Sequence, residues 1–171
     1  MKYLLLAFLS FSLLSCTPKK KEYFDFDQID HYSITISDLD IMEINRDTLR
    51  SKLDSLKSGI VGYNTPVNIS DLSFIDKLEE MGFQKTAIDT SKFATIKNIF
   101  TEKEFTSGEY TSCEPYYRDI LIFKKQNKVI GTVKLCFDCM KSQIHGTTAN
   151  TKNFGDSGEF KKLEEILKNK K

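Results

Sequence analysis

Tyr116-Tyr117-Arg118-Asp119-Ile120-Leu121-Ile122-Phe123 and Val129-Ile130-Gly131-Thr132-Val133-Lys134-Leu135-Cys136-Phe137 are two β-rich runs separated by the polar stretch Lys124-Lys125-Gln126-Asn127-Lys128. Their β-branched and aromatic content suits strands, and Asn127 tolerates the positive φ that a tight hairpin turn requires. The pattern predicts a β-hairpin over about 116–123 and 129–137. A turn centred on Gln126 and Asn127 sets Asp119 opposite Lys134, so that opposite charges meet across the pair, and Ile120 opposite Val133. In that register Ile120, Ile122, Val133, Leu135 and Phe137 share one face, whereas Tyr117, Asp119, Thr132, Lys134 and Cys136 share the other. The first face is the one expected to meet helices.

Working outward from the hairpin, Tyr32-Ser33-Ile34-Thr35-Ile36 alternates apolar and polar side chains, the period of a half-buried strand. Helical spacing appears four times. Asn45 is placed to cap a helix with Leu49, Leu53, Leu56 and Ile60 on one stripe, and Ser70 to cap one carrying Leu72, Ile75 and Leu78 up to Gly82. A third begins near Asp89 and buries Phe93, Ile96 and Phe100. A last one begins near Asp156 or Ser157 and lines up Phe160, Leu163, Ile166 and Leu167. The expected fold is therefore α+β, a small antiparallel sheet packed with about four helices.

The first residues concern address rather than fold. Lys2 precedes an uncharged apolar run over residues 3–14, too short to span a bilayer, which takes about 20 residues. A basic start, a short apolar stretch and a small residue describe a secretory signal. Leu13-Leu14-Ser15-Cys16 resembles the lipobox of bacterial lipoproteins. The resemblance implies that residues 1–15 are removed and that Cys16 receives diacylglycerol and palmitate-type acyl chains. Residues 16–22 then form the lipidated cysteine and a tether, since Thr17-Pro18 and the charges after it read as a solvated linker. Residues 23–171 form a single domain. Two or more acyl chains anchor stably where one does not, so the expected partner is a membrane, engaged through Cys16. In a cell with two membranes, lipoprotein sorting implies the outer one, because Thr17 is not aspartate.

Cleavage after Ser15 leaves 156 residues with 24 basic and 24 acidic side chains. This length supports one hydrophobic core, and the neutral balance argues against nucleic acid, whose phosphates call for clustered Lys and Arg. Three cysteines remain after Cys16. Export to an oxidising compartment allows disulfides. The hairpin register brings Cys139 opposite Glu114, next to Cys113, while Cys136 lies about 13 Å along the strand from Cys113; Cys113 with Cys139 is thus the more reachable pair. The alternative is a zinc site made of Cys113, Cys136, Cys139 and His145, with the Cys136-Phe137-Asp138-Cys139 gap as a knuckle. A third possibility is that the cysteines are reduced and inert.

Cys113-Glu114-Pro115-Tyr116-Tyr117-Arg118-Asp119, the strand ending Leu135-Cys136-Phe137-Asp138-Cys139, and Asn153-Phe154-Gly155 with the helix after it resemble a group of small bacterial lipoproteins frequent in Bacteroidota. The likeness covers the last third of the chain. It implies that the three cysteines form one unit, and it carries no activity.

Gly155-Asp156-Ser157-Gly158 looks like the nucleophile segment of chymotrypsin-like proteases, but Glu159 and a helix follow it and the chain holds only two histidines, His31 and His145. No phosphate loop or nucleophile elbow is present. The sequence therefore favours a non-catalytic binding or interaction module without a cofactor, held at the cell envelope, over its alternative, a metal-binding or redox-sensing protein built on the four candidate ligands. A pocket lined by Tyr117, Lys134 or His145 would be the first place to look for a ligand.

Overall fold

The computed structural model describes residues 20–105 and 112–168, so the lipobox and Cys16 lie outside the described residues. Five strands, β1 (Gln28–Ser33), β2 (Gln84–Ala87), β3 (Asp119–Lys125), β4 (Lys128–Cys136) and β5 (Lys141–His145), form one antiparallel sheet in the order β2-β1-β3-β4-β5. Four helices accompany it among the described residues: α1 (Asp38–Arg46), α2 (Lys52–Val61), α3 (Phe93–Ile99) and α4 (Glu159–Lys168). The fold is α+β. No helix of the described residues is long and apolar enough to cross a membrane.

The hairpin turn falls on Gln126 and Asn127, both at positive φ (48° and 62°), as the two central residues of a type I′ turn require. Beyond it the register departs from the expected one. Lys124 pairs with Val129, but Phe123 pairs with Gly131, leaving Ile130 as the extra residue of a β-bulge. Asp119 therefore lies opposite Leu135 and Ile120 opposite Lys134. A cause is visible at Gly131. The ring of Phe24 stacks on Phe123 at 4.5 Å, and a Cβ on Gly131 would come within 2.2 Å of that ring. The bulge sets the one strand residue without a side chain where the N-terminal segment crosses the sheet.

The slip of one residue exchanges the faces of β4. Val133 and Leu135 join Leu121, Phe123 and Ile29 on a face covered by Tyr23, Phe24, Phe26, α3 and α4. Ile120 and Ile122 lie on the opposite face with Tyr32, under Ile41 of α1, Ile60 and Val61 of α2, and the segment carrying Phe74, Leu78, Met81 and Phe83. Both faces are thus buried, and the expectation of a single helix-covered face is corrected. Ile120-Leu121-Ile122-Phe123 is fully buried throughout, the continuous apolar run of a strand covered on two sides.

The helices follow their caps. Where the leucine spacing predicts one helix from Asn45, there are two, opened by Ser37 and Ser51, whose hydroxyls accept from the N–H groups of Asp40 and Asp54 at 3.1 and 3.0 Å. Asp40 returns the bond to the Ser37 N–H, which completes a capping box. Leu49 falls in the break between them and is exposed, and the Asn45 carboxamide accepts a hydrogen bond from Ser58 instead of capping. The helix expected from Ser70 is reduced to a 3-10 turn, Ile75–Lys77, with Gly82 at φ 94° behind it. Asn68 and Asp71 side chains take the N–H groups of Ser70 and Val67, which holds the chain in turns rather than a helix start. α3 enters through a turn begun by Asp89, whose carboxylate accepts from the Ser91 N–H at 2.7 Å. At α4 the Glu159 carboxylate receives the N–H groups of Gly155 and Ser157, and Phe160, Leu163 and Leu167 are buried.

Candidate functional site

Among the buried polar groups of the described residues, two constellations are candidates for a site. The first is His31 with Asp119. β1 and β3 are antiparallel neighbours, with Ser33 opposite Asp119 and His31 opposite Leu121, so His31 and Asp119 project from one face, diagonally across the pair. His31 Nε2 lies 2.8 Å from Asp119 Oδ1, and the two side chains are only 6% and 10% exposed. When Nε2 carries the proton that the carboxylate accepts, the other ring nitrogen, Nδ1, is left as an acceptor. The Lys134 partner expected for Asp119 is not there, because the bulge turns Lys134 to the opposite face.

Two clefts open beside the pair, and His31 and Leu167, near the C-terminal end of α4, wall both. The smaller, about 450 Å³, is lined also by Ser33, Ile36, Arg118 and Asp119. The larger, about 810 Å³, is lined by Thr86, Asp89, Ser91, Lys92 and Glu165. Arg118 fixes the rim of the smaller one. Its Nε donates to the Ile36 carbonyl at 2.8 Å and its guanidinium pairs with Asp38 and Asp138. This ties the start of β3 to the start of α1 and to the β4–β5 turn.

The arrangement offers a fixed imidazole between hydroxyl- and charge-lined clefts, which suits holding a polar ligand. Among the described residues no nucleophilic side chain is hydrogen-bonded to His31. The pair should nonetheless be energetically coupled: His31→Gln and Asp119→Asn should each destabilise by about 2 kcal/mol, the range for a buried hydrogen bond to a charged group. The double variant should lose clearly less than the sum; strictly additive losses in urea denaturation would contradict a direct interaction.

The second constellation is centred on Lys134. Its side chain is fully buried, and its ammonium donates to the carbonyls of Ile60, Gly62 and Thr65 at 2.8, 2.5 and 2.7 Å. It also lies 4.7 Å from the centroid of the Tyr117 ring, a cation–π distance. Burial pushes the amine down from its ordinary 10.5 to about 7. The Tyr117 hydroxyl is pushed well above its ordinary value, chiefly by burial and then by its hydrogen bond with Tyr63. His145 is pushed down by burial and by the Lys134 charge, against a hydrogen bond with the Pro66 backbone. Tyr117, Lys134 and His145 do gather, but none of them lines either cleft beside His31, or a third of about 390 Å³ between α1, α2 and residues 114–116. Lys134 fastens the loop after α2 onto the sheet.

The cysteines lie at the end of the sheet away from the hairpin turn. Cys113 and Cys139 are joined by a disulfide with their Cα atoms 5.9 Å apart, and Cys136 is buried beside them with Tyr117. The Lys141 ammonium donates to the Cys113 carbonyl at 2.9 Å. His145 is not part of this group. Cys136 pairs with Lys141 and Thr132 with His145, so the histidine sits about 13 Å along the strand from the thiol. The structure thus does not bring Cys113, Cys136, Cys139 and His145 together as four ligands, and two of the sulfurs are already bonded. Among the described residues no group of three or more His, Cys, Asp or Glu side chains is arranged to hold a metal ion.

Sequence reasoning missed the His31–Asp119 pair. Its signal was Asp30 and His31 between Ile29 and Tyr32, and Asp119 at the head of Ile120-Leu121-Ile122, since an ionisable side chain that faces a core calls for a partner. No family model matches the chain, and comparisons with curated proteins and with solved structures find no match.

Proposed function

We propose that the chain is a lipid-anchored protein of the bacterial cell envelope, placed at the outer membrane where there are two, and that its domain is a non-catalytic binding module which receives its ligand in the clefts beside His31. The observation that carries the anchor is Cys16, immediately after an uncharged apolar run and within Leu13-Leu14-Ser15-Cys16. The Cys113–Cys139 bond is in keeping with it, because disulfides persist in oxidising compartments outside the cytosol. The clefts support the binding role. They are lined by mixed polar and apolar side chains and walled by His31, whose ring is held by Asp119.

Metabolic labelling with a palmitate analogue tests the reading. The wild-type protein should take up the label and a Cys16→Ser variant should not. A wild-type protein that takes up no label would argue against the anchor.

A redox-sensing role is the second reading, and one observation favours it: the Cys136 thiol is packed in the same cluster as the Cys113–Cys139 bond. Thiol–disulfide exchange would require Cys136 to attack one of those sulfurs and release the other as thiolate. Mapping the disulfides after exposure to a glutathione buffer decides it, since a Cys136-containing bond should then accumulate.

A further inference from the structure

The tether and the smaller cleft, that of Ser33, Ile36 and Arg118, lie at opposite ends of the sheet. The Lys21 carbonyl accepts from the Glu102 N–H at 2.9 Å, the Lys21 ammonium reaches Thr148 Oγ1 at 2.6 Å, and Glu22 bridges Thr101. The chain therefore enters the domain beside residues 101–105 and 147–150. The hairpin turn belongs to this end as well. Gly146 closes on the backbone of Ile130 and Gly131, and Asp25 and Asp27 receive Lys125 and the Gln126 N–H. α4 starts here, with Lys103 3.4 Å from Glu159, and its final residues Leu167 and Lys168 reach the cleft of His31, Ser33 and Arg118 at the other end. The Cys113–Cys139 bond is also at that far end, between the start of β3 and the β4–β5 turn. Along the strands, Lys128 at the near end and Thr35 at the far end are about 25 Å apart.

We infer that the tether end of the domain rests on the headgroup layer of the bilayer, and that the smaller cleft, with Ser33, Arg118 and Asp119, and the disulfide are held facing away from it. This rests on the lipid anchor proposed above. Between Cys16 and the fixed Lys21 lie only residues 17–20, a reach of at most about 18 Å fully extended. That is shorter than the domain is long, so the anchored domain cannot stand inverted with its far end on the surface. The near end also carries a side chain suited to the interface. Phe105 is 68% exposed, one residue from Glu104, which pairs with Lys20 of the tether at 3.6 Å. An exposed aromatic ring beside a lipidated tether gains burial when it enters the headgroup region. The smaller cleft is then presented to whatever diffuses past the membrane rather than to lipid.

Energy transfer to the bilayer tests the orientation. Full-length protein with Cys136→Ser and either Lys128→Cys or Thr35→Cys, labelled without reductant, is inserted through its own lipid into phosphatidylcholine vesicles holding an acceptor-labelled lipid. Transfer from position 128 should exceed that from position 35 several-fold. Equal transfer from the two positions, as in a domain lying on its side, or greater transfer from position 35, would overturn the orientation. Flotation of the same vesicles separates this from failure of the anchor: protein that does not float overturns both readings, whereas floating protein with equal transfer overturns the orientation alone.

Discussion

Replacing Lys134 by alanine should destabilise the domain by about 4 kcal/mol and replacing it by methionine by about 2 kcal/mol, because both leave the carbonyls of Ile60, Gly62 and Thr65 without their donor and only alanine also opens a cavity. A methionine variant as stable as wild type in urea would show that the ammonium fastens nothing. The same residue makes stability depend on pH. The amine titrates near 7 in the folded chain against 10.5 ordinarily, so from pH 7 upward the unfolded chain holds a proton that the folded chain has released. Stability should then rise between pH 7 and 9 by roughly 1 kcal/mol per pH unit from this group, and the methionine variant should lack that rise. A wild-type profile no steeper than the variant's would contradict a lowered pKa at Lys134.

Cys113→Ser and Cys139→Ser should each cost about 3 kcal/mol, the chain-entropy contribution of a loop of this length, given the 26-residue separation of the two cysteines. The melting temperature should fall by about 6–12 °C for a domain of this size. The two variants and their double should be nearly equal, since one bond is lost in each. Cys136→Ser should change the melting temperature far less. Unequal losses for Cys113→Ser and Cys139→Ser in thermal unfolding would count against the bond.

What could be read from the sequence was local. The hairpin turn at Gln126-Asn127, the helix from Phe93 and the helix after Gly158 each carry their signal within a dozen residues, as turn chemistry or helical spacing. β2 and β5 carry none. Gln84-Lys85-Thr86-Ala87 is exposed throughout and Lys141–His145 is half-buried, so these edge strands are specified by the strands they pair with rather than by alternation. The bulge at Ile130 depends on Phe24 crossing Gly131, a contact between segments far apart in the chain. One missed residue of register moved Asp119 from Lys134 to His31 and Lys134 from a cross-strand partner to three backbone carbonyls. The candidate site was therefore invisible: His31 and Asp119 are 88 residues apart, and a strict alternation rule placed Asp119 and Lys134 on the same face. Ser51 and Asp54, in contrast, did announce a helix start that the leucine spacing across Asn45 and Leu49 obscured.

The anchor is the claim on which location, orientation and role all depend, and intact-mass and N-terminal peptide analysis of protein purified from membranes tests it most directly. The expected mature chain begins at residue 16 and carries the added mass of diacylglycerol, with or without an amide-linked acyl chain, on Cys16. A chain that keeps residues 1–15, or one that begins elsewhere and has an unmodified Cys16 sulfur, would contradict it.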